Sequence, residues 1–242
     1  MPALHGKVVA ITGGSSGIGR AIARELARCG TKLVLNALAD EELDGIRAEF
    51  SDEVVIVPGD VAERATGERL LANALDRFGR IDVLVNNAGI FRHGPVASVD
   101  LDELDRMIAI NFGAVVRNSY LFSRAMIGQG DGHIINISSI SSTLTTAGCG
   151  AYGGTKRAVE AFSDALRIEL AGTGVRVGIV APGTTDTYLF DRMPGQGRAA
   201  SANAAVRKLD PTDLAEAVRF MLERPEHANL AHLRLYSADQ RH

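Results

Sequence analysis

The sequence has no tryptophan, only two cysteines and only seven prolines in 242 residues. Cys29 and Cys149 are too few for a disulfide framework and fit a reducing compartment. No apolar run reaches the roughly eighteen residues of a membrane-spanning helix, and nothing ahead of the first apolar run resembles a signal peptide. A cytoplasmic location away from any membrane is therefore expected. Charge of neither sign dominates: 26 basic against 29 acidic residues leave a net −3, with no basic block, which argues against nucleic acid as a partner. Low-complexity linkers and repeats of fixed period are missing too, so neither a string of modules nor a solenoid is expected. No metal site is assigned.

What is present is a regular alternation. Hydrophobic residues make up 46% and charged residues 23%, the balance of a globular protein with one sizeable core. Apolar runs predict strands at 7–12, 32–36, 54–57, 81–85, 133–138, 175–180 and 232–236. Amphipathic stretches predict helices at 18–29, 40–49, 63–78, 101–127, 151–171 and 211–223. Such alternation argues for the α/β class: a doubly wound parallel sheet with helices on both faces, built by residues 1–242 as a single domain. The stretch 188–208, rich in Gly, Ala, Arg and Met, fits neither pattern and is expected to be a substrate loop.

Lys7–Thr12 (KVVAIT) runs straight into Thr12-Gly13-Gly14-Ser15-Ser16-Gly17-Ile18-Gly19, and a helical pattern follows. Strand, glycine-rich turn and helix is the context in which such a motif binds phosphate. Gly13 permits the tight turn, Gly17 lets backbone approach a pyrophosphate, and Gly19 lets helix pack closely on strand. The free N–H groups and partial positive charge of the helix start suit the phosphates. The next strand, Lys32–Asn36, comes at the spacing of a βαβ unit.

Tyr152 and Lys156 stand four residues apart in a helical stretch and so share one face. A free phenol, with a pKa near ~10, is a poor acid–base group at neutral pH, and a cation beside it is expected to lower that value. Ser139, thirteen residues before the tyrosine, offers a hydroxyl to hold a substrate oxygen. The triple suits proton transfer to or from a carbonyl or alcohol oxygen. Asn111 lies within a helical pattern, where a buried amide can hold a water on a proton relay to Lys156.

On these motifs the chain resembles the short-chain dehydrogenase/reductase family over nearly its whole length. Thr12–Gly19 matches the family's T-G-x-x-x-G-x-G, and Asn86-Asn87-Ala88-Gly89 its N-N-A-G after the fourth strand. Asn111, Ser139, Tyr152 and Lys156 match the catalytic tetrad. Asp60-Val61 matches a dipeptide that contacts adenine in the family, and Pro182-Gly183 with Thr185 and Thr187 matches the segment near the nicotinamide. The resemblance implies a Rossmann-like fold and hydride transfer between NAD(P) and a carbonyl or alcohol carbon. It implies that Tyr152 carries the proton, that Lys156 lowers the tyrosine pKa and bonds the nicotinamide ribose, that Ser139 positions the carbonyl, and that Asn111 connects Lys156 to solvent. The implied cofactor cradle is Gly13, Ser15, Ser16, Gly17, Ile18, Gly19, Asn36, Asp60, Val61, Asn87, Ala88, Gly89, Tyr152, Lys156, Pro182, Gly183, Thr185 and Thr187. A homo-tetramer or homo-dimer built through helices 101–127 and 151–171 is implied as well.

The cofactor choice turns on the end of the second strand, Asn36-Ala37-Leu38-Ala39-Asp40. Ala37 stands where NAD-preferring relatives carry an aspartate, and Leu38 where many NADP-preferring relatives carry an arginine. With no acid to repel a 2′-phosphate, and with Ser15, Ser16 and Asn36 as donors, NADP(H) is expected ahead of NAD(H). The small-molecule carbonyl or alcohol pocket is expected among Phe91–Val96, Ile140–Cys149 and residues 184–200, with Arg92 and His93 able to meet a polar or acidic substrate. Pro182–Thr187, Arg207-Lys208-Leu209, Asp213–Phe220 and the ending Ala238-Asp239-Gln240 resemble a bacterial branch of the family that includes clavulanic acid dehydrogenase and NADPH-dependent reductases. Alternatives are an NAD-dependent dehydrogenase working oxidatively and a non-catalytic NAD(P) sensor.

Overall fold

The apolar run Val8–Ile11 forms the central strand β1 of a seven-stranded parallel sheet. The computed structural model describes residues 4–38, 45–46, 49–50, 54–144, 146–187, 189 and 207–240. On one side of β1 lie β2 (Lys32–Ala37) and then β3 (Val54–Pro58); on the other lie β4 (Val83–Asn86), β5 (Gly132–Ile137), β6 (Val175–Pro182) and β7 (His232–Leu235). The order β3-β2-β1-β4-β5-β6-β7 reverses direction between β1 and β4. In an open parallel sheet such a reversal opens a crevice at the carboxyl ends of the strands, where ligands bind.

Alternate residues of the inner strands enter two separate cores, which is why those strands are largely apolar on both faces, whereas the edge strand β7 (HLRL) is not. Val9, Ile11, Leu33 and Leu35 pack with Ile22 and Leu26 of α1 (Gly17–Arg28) and with Leu214, Val218 and Met221 of α6 (Pro211–Leu222). Val8, Ala10, Val34 and Leu84 pack on the opposite face. Their partners there are Leu70 and Ala74 of α2 (Arg64–Phe78), Phe122 and Met126 of α4 (Val115–Gln129), and Leu166 of α5 (Gly150–Glu169). The doubly wound α/β expectation thus holds. Among the described residues no helix is long and apolar enough to cross a membrane.

Most element bounds shift by a residue or two from the sequence reading, and three differences bear on the architecture. The single helix expected over 101–127 is divided: α3 (Leu101–Ile108), capped by Asp100, gives way to a π-helical stretch, Ala109–Ala114, before α4 begins. The fourth strand starts at Val83 rather than Ile81, because the Gln129 side chain engages both the N–H and the C=O of Ile81. The sixth runs on to Pro182, paired with Leu235 of β7. The helix expected at 40–49 lies largely outside the described residues. So does the 188–208 loop, apart from Leu189, Arg207 and Lys208.

Candidate active site

The glycine turn between β1 and α1 is held by side chains at the ends of β2 and β4. The Asn87 amide donates to the carbonyls of Thr12 (3.0 Å) and Gly13 (3.1 Å), and the Thr12 hydroxyl accepts from the N–H groups of Asn87 (3.0 Å) and Ala88 (3.1 Å). Gly13 and Gly17 have φ of 64° and 51°, the left-handed region where glycine is favoured. A Cβ on Gly17 would come 3.3 Å from Thr187 Cγ2, which brings the segment after β6 against the turn. A Cβ on Gly19 would overlap the Gly13 carbonyl oxygen and the Asn87 amide nitrogen. The first turn of α1 has no acidic residue, and Ser16 at its N-cap makes no side-chain capping bond. Bare backbone, an uncapped helix start and no negative charge make a cradle that fits a dinucleotide pyrophosphate.

Asn36 faces inward. Its amide donates to the carbonyls of Val57 (3.1 Å) and Gly59 (2.8 Å), so both amide hydrogens are engaged, and its side-chain oxygen lies 3.5 Å from Gly13 N. It tethers the glycine turn to β3 instead of offering a donor to a phosphate. Asp60 is likewise held: one carboxylate oxygen accepts from Ala62 N (2.9 Å) and the other from Arg106 (2.8 Å). At the far side Gln240 bonds Thr184 N (3.1 Å), and Leu235 O accepts from Gly183 N (2.7 Å), which fixes the turn after Pro182. Thr185 and Leu209 form an isolated bridge beyond it.

The π-helical stretch places Asn111 at its inner side, fully buried. Such stretches occur often at functional sites. The Asn111 amide pairs with both backbone groups of Ile90, accepting from N–H (2.9 Å) and donating to C=O (2.8 Å), and lies 3.4 Å from the Thr155 hydroxyl. Gly89, just before, is the floor over which Asn111 and Lys156 meet: a Cβ there would stand 3.2 Å from Asn111 Oδ1 and 3.6 Å from Lys156 Nζ. On α5, Lys156 is buried, donates to Ile137 O at 2.9 Å, and sits 6.0 Å from the centroid of the Tyr152 ring. Tyr152 is buried beside Ser139, whose hydroxyl also accepts from Ser141 N (3.1 Å) at the start of a short 3-10 turn, Ile140–Ser142.

The electrostatics correct one expectation. Lys156 does not lower the Tyr152 pKa here. Burial pushes the phenol up to about 12, against which the Ser139 hydrogen bond works, and the nearby Cys149 adds to the rise. Burial also pushes the Lys156 ammonium down to about 8. Desolvation is the leading cause of both shifts. At neutral pH the pair is therefore a protonated phenol beside an ammonium, a proton donor rather than a base.

The wall around Tyr152 is apolar: Phe91 meets its ring edge-on at 4.8 Å between centroids, and Ile90, Cys149, Ala151 and Leu189 pack around the two. Arg92 is not poised for an acidic substrate, because its guanidinium pairs with Glu103 and donates to Phe91 O. His93 stacks at a tilt on Phe91, 5.3 Å between centroids. Two hydroxyls that hold the site were given no role in the sequence reading, those of Thr12 and Thr155. Thr12 heads the glycine motif, so its role was within reach.

Comparison with known proteins gives the family. The family model described as short chain dehydrogenase matches residues 7–196. An oxidoreductase of uncharacterised role from Staphylococcus aureus (strain USA300) is 36% identical over 231 residues, covering 95% of this chain and 96% of the relative. An alcohol dehydrogenase from Thermococcus sibiricus, solved with 5-hydroxy-NADP, superimposes with a TM-score of 0.85 at 33% identity, covering 97% of this chain and 98% of that one. A 3-ketoacyl-(acyl-carrier-protein) reductase from Brucella melitensis, solved with NADH, gives 0.88 at 28% identity, covering 98% and 99%. With the family model spanning residues 7–196 and a relative 36% identical across 95% of its length, the chain belongs to the short-chain dehydrogenase/reductase family of oxidoreductases.

Proposed function

We propose that the protein is an NADPH-dependent reductase of uncharged aldehydes or ketones, folded as a single domain, with Tyr152 as its proton donor. The observation that carries this reading is the buried Tyr152, beside Ser139 and with the buried Lys156 ammonium 6.0 Å from its ring centroid. The turn of Gly13, Ser15, Ser16, Gly17, Ile18 and Gly19 would hold the pyrophosphate. Asp60 and Val61 would border the adenine, and Asn87, Ala88, Gly89, Pro182, Gly183, Thr185 and Thr187 would enclose the nicotinamide half. Once bound, the nicotinamide supplies the hydride. Ser139 orients the substrate oxygen by its hydroxyl, and Tyr152 Oη delivers a proton to that oxygen as it gains charge. Lys156 stabilises the phenolate left behind. Asn111 keeps the Ile90 backbone in place above the site and, through water, links Lys156 to solvent.

Phosphate preference is argued from the end of β2. Ala37 and Leu38 carry no acid to repel a 2′-phosphate, and Leu38 is exposed. With Asn36 engaged elsewhere, Ser16 at the helix start becomes the principal side-chain donor, together with backbone N–H groups. The apolar pocket wall and the paired Arg92 support an uncharged carbonyl over a carboxylate. The C-terminal motifs support the bacterial reductase branch. A homo-dimer or homo-tetramer is supported by Ile108, Tyr120, Ile127 and Ile168, apolar residues exposed along α3, α4 and α5. The location is proposed as cytoplasmic.

The test is a paired titration with NADPH and NADH, followed by the fluorescence of the reduced nicotinamide. Tighter NADPH is the expected result. Tighter NADH would shift the assignment to an NAD-dependent dehydrogenase working oxidatively.

A further inference from the structure

Glu160 lies one helical turn beyond Lys156 and two beyond Tyr152 on α5, and is only 3% exposed. Its Oε1 accepts from the hydroxyl of Ser138 at 3.0 Å and from that of Ser142 at 2.6 Å. Ser138 precedes Ser139 and Ser142 closes the turn that follows it, so both ends of the segment carrying Ser139 are tied to one oxygen. The other oxygen faces Arg234 Nη2 at 3.4 Å and Arg157 Nη1 at 3.5 Å, while His232 Nε2 stands 3.5 Å from Oε1. Arg234 also donates to the Thr143 hydroxyl (3.1 Å), one residue past Ser142. Helix α5, the Ser139 turn and the edge strand β7 therefore converge on a single buried carboxylate.

A buried carboxylate is weak evidence for stability, because desolvation offsets much of what its partners return. What this one does geometrically is specific. Two hydroxyl bonds to one oxygen fix the Ser139 turn against the same helix that carries Tyr152 and Lys156. We propose that Glu160 is a positioning residue for the reaction, acting through Ser139 by holding its turn in register with Tyr152. This rests on the roles of Ser139 and Tyr152 proposed above. A misplacement near 1 Å at a reacting group can cost roughly a hundredfold in rate, so loosening this turn is expected to register in kcat.

The test is a double-mutant cycle between Glu160→Ala and Ser139→Ala. Turnover is read as NADPH consumption on whichever of 2,3-butanedione, cyclohexanone and benzaldehyde the unaltered protein reduces fastest, and NADPH affinity is read by fluorescence. Glu160→Ala is expected to lower kcat about tenfold or more, with NADPH affinity held within about twofold. In the Ser139→Ala background the same change should cost less than about twofold, because its route has been removed. Glu160→Gln, whose amide oxygen still accepts from both hydroxyls, should recover most of the rate. If Glu160→Ala does not fold, Ser138→Ala with Ser142→Ala keeps the carboxylate and its cations and should give the same loss of kcat. An equal loss in both Ser139 backgrounds, or a parallel loss of NADPH affinity, would overturn the positioning role alone. An unchanged rate in Ser139→Ala by itself would overturn the reaction assignment and the positioning role with it.

Discussion

Gly19 faces the carbonyl oxygen of Gly13 so closely that a single added carbon would overlap it. The glycine turn and the helix that follows are thus packed backbone on backbone. Gly19→Ala is expected to weaken NADPH binding at least tenfold and to cost about 1–3 kcal/mol of stability, as overpacking does. Gly154→Ala is the control. It is exposed on α5, a Cβ there meets nothing within 4 Å, and a gain of about 1 kcal/mol is expected with binding intact. Fluorescence titration and thermal melts of the two variants check both expectations.

Lys156 sits in a site that disfavours its own charge. Burial lowers its pKa from 10.5 to about 8, so between these values the unfolded chain binds more protons than the folded one. Stability therefore rises with pH across that window, and at neutral pH the buried ammonium costs on the order of 3 kcal/mol. Lys156→Met is expected to abolish turnover while raising Tm, an outcome that melting curves and NADPH consumption report together.

The same group shapes the pH dependence of the reaction. Tyr152, pushed up to about 12, stays protonated through the usual assay range, whereas Lys156 loses its charge near 8. The reductive kcat/KM is expected to fall as pH rises through about 8, a limb that belongs to the lysine. A profile flat to pH 10 would contradict this assignment.

His133 on β5 is buried, and among the described residues neither of its ring nitrogens has a hydrogen-bond partner. Burial, with Arg176 nearby, pushes its pKa down to about 3 from 6.5. In that window the unfolded state binds the extra proton, so stability is lost as pH falls from 6.5 toward 3. The loss at pH 5 is about 2 kcal/mol. His133→Leu is expected to remove most of that slope between pH 7 and 5, as read by urea unfolding at the two values.

Asp82, at the opposite ends of the strands from Tyr152, accepts from Val8 N (2.8 Å), Lys7 (3.1 Å) and Arg80 (2.6 Å) while 2% exposed. Burial raises its pKa, but Arg80, the Val8 N–H and Lys7 more than reverse this, and the net shift is downward. Its stabilisation is therefore present above the ordinary carboxylate range and is lost as pH falls through the lowered value. Asp82→Ala is expected to cost about 3 kcal/mol and to leave the rate per folded molecule unchanged.

The central strands were legible because they are buried on both faces and so read as largely apolar runs, β1 (VVAI) and β4 (VLVN) most plainly. The glycine turn was legible because Gly13, Gly17 and Gly19 each answer a steric demand of the backbone. The π-helical stretch was not, because Ala109-Ile110-Asn111-Phe112-Gly113 carries no residue that separates a wide turn from an ordinary one. Asn36 was correctly placed at the end of β2, yet spacing does not say which way an amide turns, and Val57 and Gly59 claim it. The Tyr152 pKa went the other way from the sequence reading for a related reason. Four-residue spacing shows that Lys156 is near, but not that both groups are cut off from water.

The most direct measurement is Tyr152→Phe, followed at once by NADPH titration and by NADPH consumption on an aldehyde and ketone panel. Removal of one hydroxyl is expected to lower turnover by at least a hundredfold, within the range of general acid catalysis, while NADPH affinity stays within about twofold. Turnover that survives the substitution would contradict a proton delivered by Tyr152.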